Sequence, residues 1–420
     1  DKLMKFVDLS TRLDDWNAFV DQNADASFTQ SSQQYQLLNH RQHNPLILGL
    51  VDDDNNILIG SLLTKQTVKL GVKYNLEYGP VVNDWHADKL VDTFFAELQD
   101  YAKKHNIMFI TVSPNTIYQK FDDEGTPLSE PDEIVMHKMT ELGYKHEPFL
   151  YGMTDTQAVP WQYVKDLTGM SADDIHKSYH KMVKQALKKQ ATGVHVRELG
   201  RDELPLFKKI LDDTSIRRNF HTKDLDYFET TYDDFGERVK FVVAELHFPE
   251  YIANLDEKLV DVNQKIADLE EKLANGGNAG RINKQLADLN KQRDNHTKRR
   301  ANIVELQAEK DSDTLVLAGA QFMITPQEVD YLFSGSYEEY GEFYGPHQIQ
   351  DYMIQMTHDL GIDRYNFLGI DGRFDGSDGV MNFKTKFNGH VEQKVGTFDR
   401  PVQGFKYQLY RLGKKIKGTD

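Results

Sequence analysis

The chain has 420 residues, 39% of them hydrophobic and 28% charged, which is enough to bury two cores and excludes a single small module. With 50 Lys and Arg against 66 Asp and Glu, its formal net charge is −16. This excludes sequence-independent attraction of the whole chain to nucleic acid and confines any polyanion to a local basic patch.

Zero cysteines exclude disulfides, thiolate nucleophiles and Cys-ligated zinc. No apolar run approaches the roughly 20 residues that a bilayer span needs, and the charged start Asp1-Lys2-Leu3-Met4-Lys5 leads into no signal-like stretch. The expectation is a cytoplasmic protein.

In chain order, strands are expected at 45–51 and 57–68, joined across Asp52-Asp53-Asp54-Asn55-Asn56. Leu90, Val91, Phe94, Phe95, Leu98 and Tyr101 recur at helical spacing within 88–105, and 107–112 reads as a buried strand. Ser171-Ala172-Asp173-Asp174 has the form of a capping box that opens a helix. That helix would carry Lys177, Lys181, Lys184, Lys188 and Lys189, the best local polyanion patch, although on charge alone an ordinary solvated helix face is the better account of it. From Gly193 the grammar repeats with a strand at 194–198, helices at 204–214 and 225–232, and a strand at 239–246.

Two heptad stretches follow. Ile252, Leu255, Leu259, Val262, Ile266, Leu269 and Leu273 form one seam; Ile282, Leu286, Leu289, Arg293, His296, Arg300 and Ile303 form the other. Asn275-Gly276-Gly277-Asn278 between them predicts an antiparallel helical hairpin with arms of about 35 Å, in which the basic seam positions would meet Leu259 and Val262. Strands at 314–324 and 329–334, a helix at 348–360 and a strand at 364–368 complete the pattern. The recurrence predicts two related α/β units with the hairpin inserted in the second. The expected division is 1–165 for the first domain, completed by 398–420, then 166–397 for the second, with the hairpin at 248–310.

No metal is expected: there is no His-Glu-x-x-His run, and His176 and His180 lack an evident carboxylate partner. No glycine-rich phosphate loop follows a strand, since Gly276, Gly277 and Gly280 belong to the hairpin turn.

Several segments fall in a telling order: Ser27-Phe28-Thr29-Gln30, Tyr78-Gly79-Pro80-Val81-Val82, Gly193-Val194-His195-Val196-Arg197, Thr214-Ser215-Ile216-Arg217, the hairpin, Gly361-Ile362-Asp363-Arg364-Tyr365-Asn366-Phe367, and Gly379-Val380-Met381-Asn382-Phe383-Lys384. This order resembles the Fem family of aminoacyl-tRNA-dependent transferases, which build peptidoglycan interpeptide bridges, and the hairpin matches its FemA-like branch. The resemblance implies an α/β (α+β) fold of two GNAT-like domains with an inserted coiled-coil hairpin. It implies transfer of glycine, alanine or serine from aminoacyl-tRNA to the side-chain amine of the stem-peptide lysine of a lipid-linked or UDP-linked muramyl-pentapeptide precursor. It further implies peripheral contact with the inner membrane face, association with itself or related transferases, and no cofactor besides aminoacyl-tRNA as co-substrate.

Aminolysis of an ester needs a neutral amine and a donor for the developing oxyanion. The resemblance places Lys384, beside Phe383, where the family carries a lysine for the tRNA end and that charge; alone, Lys384 reads as a surface residue at a strand end. It places Arg217 on the precursor's phosphates, with Arg218 competing for the register, and Tyr331 near the acceptor, where an ordinary core tyrosine is an equal reading. Lys181, Lys184, Lys188, Arg293 and Arg300 are the expected tRNA contacts.

Two departures stand out. Thr111-Val112-Ser113-Pro114 has serine where some members have an aspartate considered as general base, so no base is assigned. Tyr35-Gln36-Leu37-Leu38 lacks the lysine often found there, leaving Lys65, Arg41 or Lys73 to replace a phosphate contact. Two rivals remain. An acetyl-CoA-dependent N-acetyltransferase would need an Arg/Gln-x-x-Gly-x-Gly/Ala run, which is missing; a non-catalytic coiled-coil scaffold would fail to transfer from aminoacyl-tRNA.

Overall fold

Two mixed sheets organise the chain in a computed structural model that describes residues 3–152, 158–189, 192–218 and 220–418. The first has seven strands in the order Lys5–Asp8, Pro45–Val51, Ile57–Val68, Gly71–Glu77, Phe109–Ser113, Phe398–Pro401 and Lys145–His146. The second has eight, in the order Ile117–Phe121, His390–Lys394, Trp161–Asp166, Arg364–Gly369, Val329–Ser336, Thr314–Ile324, Val239–His247 and Val194–Glu198.

Local chemistry explains the early elements. Asp52 Oδ1 accepts from the amides of Asp54 and Asn56, both at 2.9 Å, closing the turn between the second and third strands of the chain. The helix Asp88–Lys104 lays Val91, Phe94, Phe95, Leu98 and Ala102, all fully buried, into the first core. After the second domain, Phe398–Pro401 pairs beside Phe109–Ser113, and the helix Gly404–Ile416 rests Tyr407 and Tyr410 on Phe109.

Two strands within the span expected for the first domain belong to the second sheet. The strand His390–Lys394 lies between them, Val391 pairing with Phe121 on one side and Tyr163 on the other. A central strand requires ladder partners on both edges, and these come from Ile117–Phe121 and Trp161–Asp166, so the single division at 165 is replaced by a chain that passes between the sheets at 113–117, 121–145, 146–161 and 394–398.

The expected lysine helix is also two helices. Ser171 and Asp174 form the capping box of Ala172–Ser178. Tyr179 then turns extended (ψ 153°), buries its ring and donates its hydroxyl to Asp351 at 2.8 Å, and Lys181–Lys189 starts anew. His176 therefore sits on the first helix and His180 in the link before the second.

The helices Phe248–Ala274 and Ala279–Lys310 leave the strand Val239–His247 and return to Thr314–Ile324, its antiparallel neighbour, so the insertion leaves the ladder intact. Leu255, Val262, Ile266, Ile282 and Ile303 are buried along the shared seam. Gly277 permits the reversal: a Cβ there would stand 2.7 Å from Ile282 Cδ1 and 2.9 Å from the Lys272 carbonyl. Arg293, His296 and Arg300 are half-buried in that seam, and Arg300 pairs with Asp256 on the opposite arm. Among the described residues no helix is long and apolar enough to cross a membrane.

Candidate active site

Each sheet holds one parallel pair of strands. In the first, Gly71–Glu77 and Phe109–Ser113 stay in register over five pairs, from Lys73↔Phe109 to Glu77↔Ser113. In the second, Val329–Ser336 and Arg364–Gly369 match only at Val329↔Tyr365 and Asp330↔Asn366. Register shifts at Gln321/Phe322 and Asn366/Leu368 then lead the strands apart, Leu368 taking a positive φ of 60°.

A cavity of about 350 Å³ opens in this split. Ala318, Gly319 and Ala320 keep its floor low, and the helices Leu204–Arg218, Gly345–Asp359 and Gly379–Thr385 wall it. Gly335 admits the first of these helices, since a Cβ there would lie 2.5 Å from Thr214 Oγ1.

Lys384 closes the inner end. Its helix starts at Asp378, which accepts from the Val380 amide at 2.9 Å, and the short helical repeat turns Met381 and Lys384 inward. The Lys384 ammonium donates to the Gly369 carbonyl at 2.7 Å and lies 5.9 Å from the centre of the Tyr331 ring. Among the described residues no carboxylate is within ion-pair distance of it, and none lines the cavity. Burial lowers its pKa to about 7, with the charge of Asp378 acting in the opposite direction. Among the described residues this desolvated amine has one acceptor and faces open space, an arrangement that can receive an anion.

The structure brings Phe383, Lys384, Tyr331 and Arg218 together around this cavity. Arg217 turns away, donating to the Ser336 carbonyl at 2.8 Å and pairing with Glu338 at 3.2 Å. Burial raises the pKa of the Tyr331 phenol.

His347 and Gln350 also line the cavity, and sequence reading missed both. Their helix begins at Gly345, earlier than expected; Pro346, fit for a first helical turn, was the available signal. Burial lowers the His347 pKa to about 4, its Nδ1 is buried without a partner among the described residues, and its ring stands edge-on to Phe383 with centroids 4.9 Å apart.

An open groove of about 550 Å³ adjoins, lined by Lys181, Lys184 and Lys188 on one side and by Gln348 and Asp351 on the other. Gln348 follows His347 on the same helix, so one helix separates groove from cavity. The His180 amide donates to the Lys386 carbonyl at 2.8 Å, tying the basic helix to the end of the Lys384 helix. Arg293 and Arg300 lie on the hairpin and line neither space.

A further cavity of about 550 Å³ lies between the domains, with Arg41, Lys65, Glu77, Lys223 and Tyr227 around it. Leu332 and Phe333 contribute to it from the strand whose Tyr331 faces Lys384. Arg41 pairs there with Asp226 at 2.8 Å. Burial raises the Glu77 carboxyl, which Lys223 partly offsets. Lys73 is elsewhere, over the Phe109 ring and near Thr111. Ser113 hydrogen-bonds Thr397 at 2.9 Å in the core.

A sequence model described as the FemAB family matches residues 11–415. The aminoacyltransferase FemA of Staphylococcus epidermidis is 32% identical over 426 residues, covering 99% of this chain and 100% of that protein. The aminoacyltransferase FemA of Staphylococcus aureus is 32% identical over 435 residues, covering 99% of each. The crystal structure of FemX superposes with a TM-score of 0.76 at 20% identity, covering 94% of this chain and 97% of that one, a likeness of fold.

Proposed function

The chain belongs to the FemAB family, and we propose that it transfers an amino acid from aminoacyl-tRNA to the side-chain amine of the stem-peptide lysine of a peptidoglycan precursor. The observation that carries this reading is the Lys384 cavity: among the described residues a buried cation without a counter-ion and no lining carboxylate, with a second cation, Arg218, at the rim.

When the acceptor amine attacks the ester carbonyl, the C–N bond forms, negative charge builds on the carbonyl oxygen, and the C–O bond to the terminal ribose breaks as the intermediate collapses. An anion beside Lys384 raises its pKa again, so the group is charged when the oxyanion needs it. Phe383 offers a ring face to the terminal base, and His347 offers an unused hydrogen-bonding nitrogen. Arg218 takes the phosphate role assigned above to either arginine, because it faces the cavity. The Lys181–Lys189 helix receives the acceptor stem, since its groove lies one helix away. Arg41, Lys65 and Lys223 of the inter-domain cavity meet the precursor's phosphates. The proton leaves through solvent or the tRNA itself. The co-substrate makes the reaction cytoplasmic, and a lipid-linked acceptor brings it to the inner membrane face.

The test incubates the purified chain with tRNA charged with glycine, alanine or serine, and with lipid-linked or UDP-linked precursor. Amide formation is expected with one donor and one acceptor form. Acylation supported by acetyl-CoA alone would overturn the reading in favour of an N-acetyltransferase, and no transfer from any donor would leave a scaffold.

A further inference from the structure

The helix Gly404–Ile416 is amphipathic in two directions. Tyr407, Tyr410 and Arg411 face inward; Tyr410 packs on Phe109, and Arg411 reaches Glu147 at 3.5 Å. On the opposite face Phe405 is 78% exposed, Leu409 44%, Leu412 55% and Ile416 78%. Positions i, i+4, i+7 and i+11 fall within about 60° of arc, so these four side chains form one unbroken apolar stripe. Four large hydrophobic groups at regular spacing in water are unlike the scattered exposure expected of a surface.

Charge follows the same geometry. Residues 404–418 contain Lys406, Arg411, Lys414, Lys415 and Lys417 and no Asp or Glu, on a chain whose net charge is −16. Lys415 lies to one side of the stripe, and Lys406 and Lys417 to the other. Lys69, in the turn next to the half-exposed Leu70, adjoins Lys417, and this second cation lowers its pKa. A basic-flanked apolar stripe of this length matches a helix lying in a lipid interface, its apolar side chains at the acyl boundary and its lysines among the headgroups.

We propose that the outward face of the Gly404–Ile416 helix, with the Lys69-Leu70 turn beside it, docks the protein on an anionic lipid surface. Phe405, Leu409, Leu412 and Ile416 enter the bilayer interface, and Lys406, Lys415 and Lys417 meet lipid phosphates. A second copy of the chain fits this face poorly, because it would set two basic strips against each other with no Asp or Glu on residues 404–418 of either copy to offset them. A polynucleotide would use the lysines and leave the apolar stripe in water.

The test is co-sedimentation of the full chain with vesicles of phosphatidylglycerol and phosphatidylcholine, against vesicles of phosphatidylcholine alone. Binding to the anionic vesicles is expected. Replacing the stripe together (Phe405→Ser, Leu409→Ser, Leu412→Ser, Ile416→Ser) should weaken it by about tenfold or more, while the melting temperature and circular dichroism stay those of the folded chain. Lys406→Gln with Lys415→Gln and Lys417→Gln should abolish the preference for anionic lipid. The proposal is overturned if the unaltered chain remains in the supernatant, or if the folded serine variant sediments like it. It is equally overturned if the chain is a dimer that the serine variant dissociates while vesicle binding is unchanged. Aminoacyl transfer to a UDP-linked acceptor, measured on the same variants, reports separately on the proposed reaction.

Discussion

The two parallel strand pairs occupy equivalent places in the two sheets and behave differently. The first stays zipped over five residue pairs and its faces fill with side chains; the second parts after two, and the gap becomes the Lys384 cavity. The repeated architecture is thus closed in one copy and opened into a cavity in the other. The same contrast recurs within the second domain between two buried lysines. Lys165 donates to Ser178 Oγ at 2.7 Å and to the carbonyls of Phe387 and Asn388 at 2.9 and 3.0 Å, whereas Lys384 has the Gly369 carbonyl and open space. Neither has a carboxylate within ion-pair distance among the described residues. Burial lowers both from 10.5, Lys165 to about 8 and Lys384 to about 7. The number of acceptors separates a structural lysine from one waiting for a ligand.

The largest expected effect breaks this comparison at its centre. Lys384→Met should lower turnover about 100-fold or more, as the loss of a transition-state donor does. It should also stabilise the fold near neutral pH. The folded pKa lies below the unfolded one, so the charged lysine costs most below about pH 7, roughly 4 to 5 kcal/mol before the lost bond to Gly369 is deducted. A net gain of about 2 to 3 kcal/mol should shrink as the pH rises toward 10.5. Lys165→Met should go the other way: the desolvation relieved is roughly 3 kcal/mol, but three acceptors lose their donor at about 1 to 3 kcal/mol each. Chemical denaturation of both variants across pH checks the two signs, and equal signs would end the distinction.

A pH profile sharpens it. The acceptor amine becomes neutral in growing proportion up to about pH 10.4, while free Lys384 loses its charge above about pH 7. With both substrates subsaturating, kcat/KM should rise about tenfold per pH unit below 7 and level off above it, because the two dependences cancel. Lys384→Arg, charged throughout, should keep rising toward pH 10. A wild-type profile that climbs unbroken through pH 9 would show that the charge on Lys384 is not required.

The next effect tests where tRNA would lie under the proposed reaction. Lys181→Ala, Lys184→Ala and Lys188→Ala together should weaken tRNA binding by about tenfold or more at low salt and reduce the slope of log affinity against log salt by roughly three contacts. Arg293→Ala should change either quantity less, and Arg300→Ala should chiefly loosen the hairpin through loss of Asp256. A reversed ranking would move the stem from the groove to the hairpin. The smallest effect separates neighbouring arginines: Arg218→Ala should weaken substrate binding several-fold, and Arg217→Ala should cost about 1 kcal/mol of stability through its bonds to Ser336 and Glu338. Calorimetric titration and thermal melting distinguish them.

Much of this organisation was legible in the chain. The Asp52–Asn56 turn, the Asp88–Lys104 helix, the capping box at Ser171 and the seam from Ile252 to Ile303 declare themselves through hydrogen bonds and periodicities a few residues long, and the structure keeps them. The motif order pointed to Lys384, and the structure shows it on a helix, buried, rather than at a strand end in water. Helical spacing runs through Tyr179 and predicts a continuous helix there; its contact with Asp351, 172 positions away, breaks the helix instead.

Which segments become strands and helices, where the chain reverses, and which side chains prefer the interior follow from local chemistry, because each depends on neighbours within a turn or two of backbone. Tertiary structure alone decided that Ile117–Phe121 and Trp161–Asp166 join the second sheet, that its parallel pair parts after two residues, and that Arg218 rather than Arg217 faces the gap. Strand partnership and burial are set by what packs across long separations, and a lysine's charge answers to the number of acceptors that packing brings within reach.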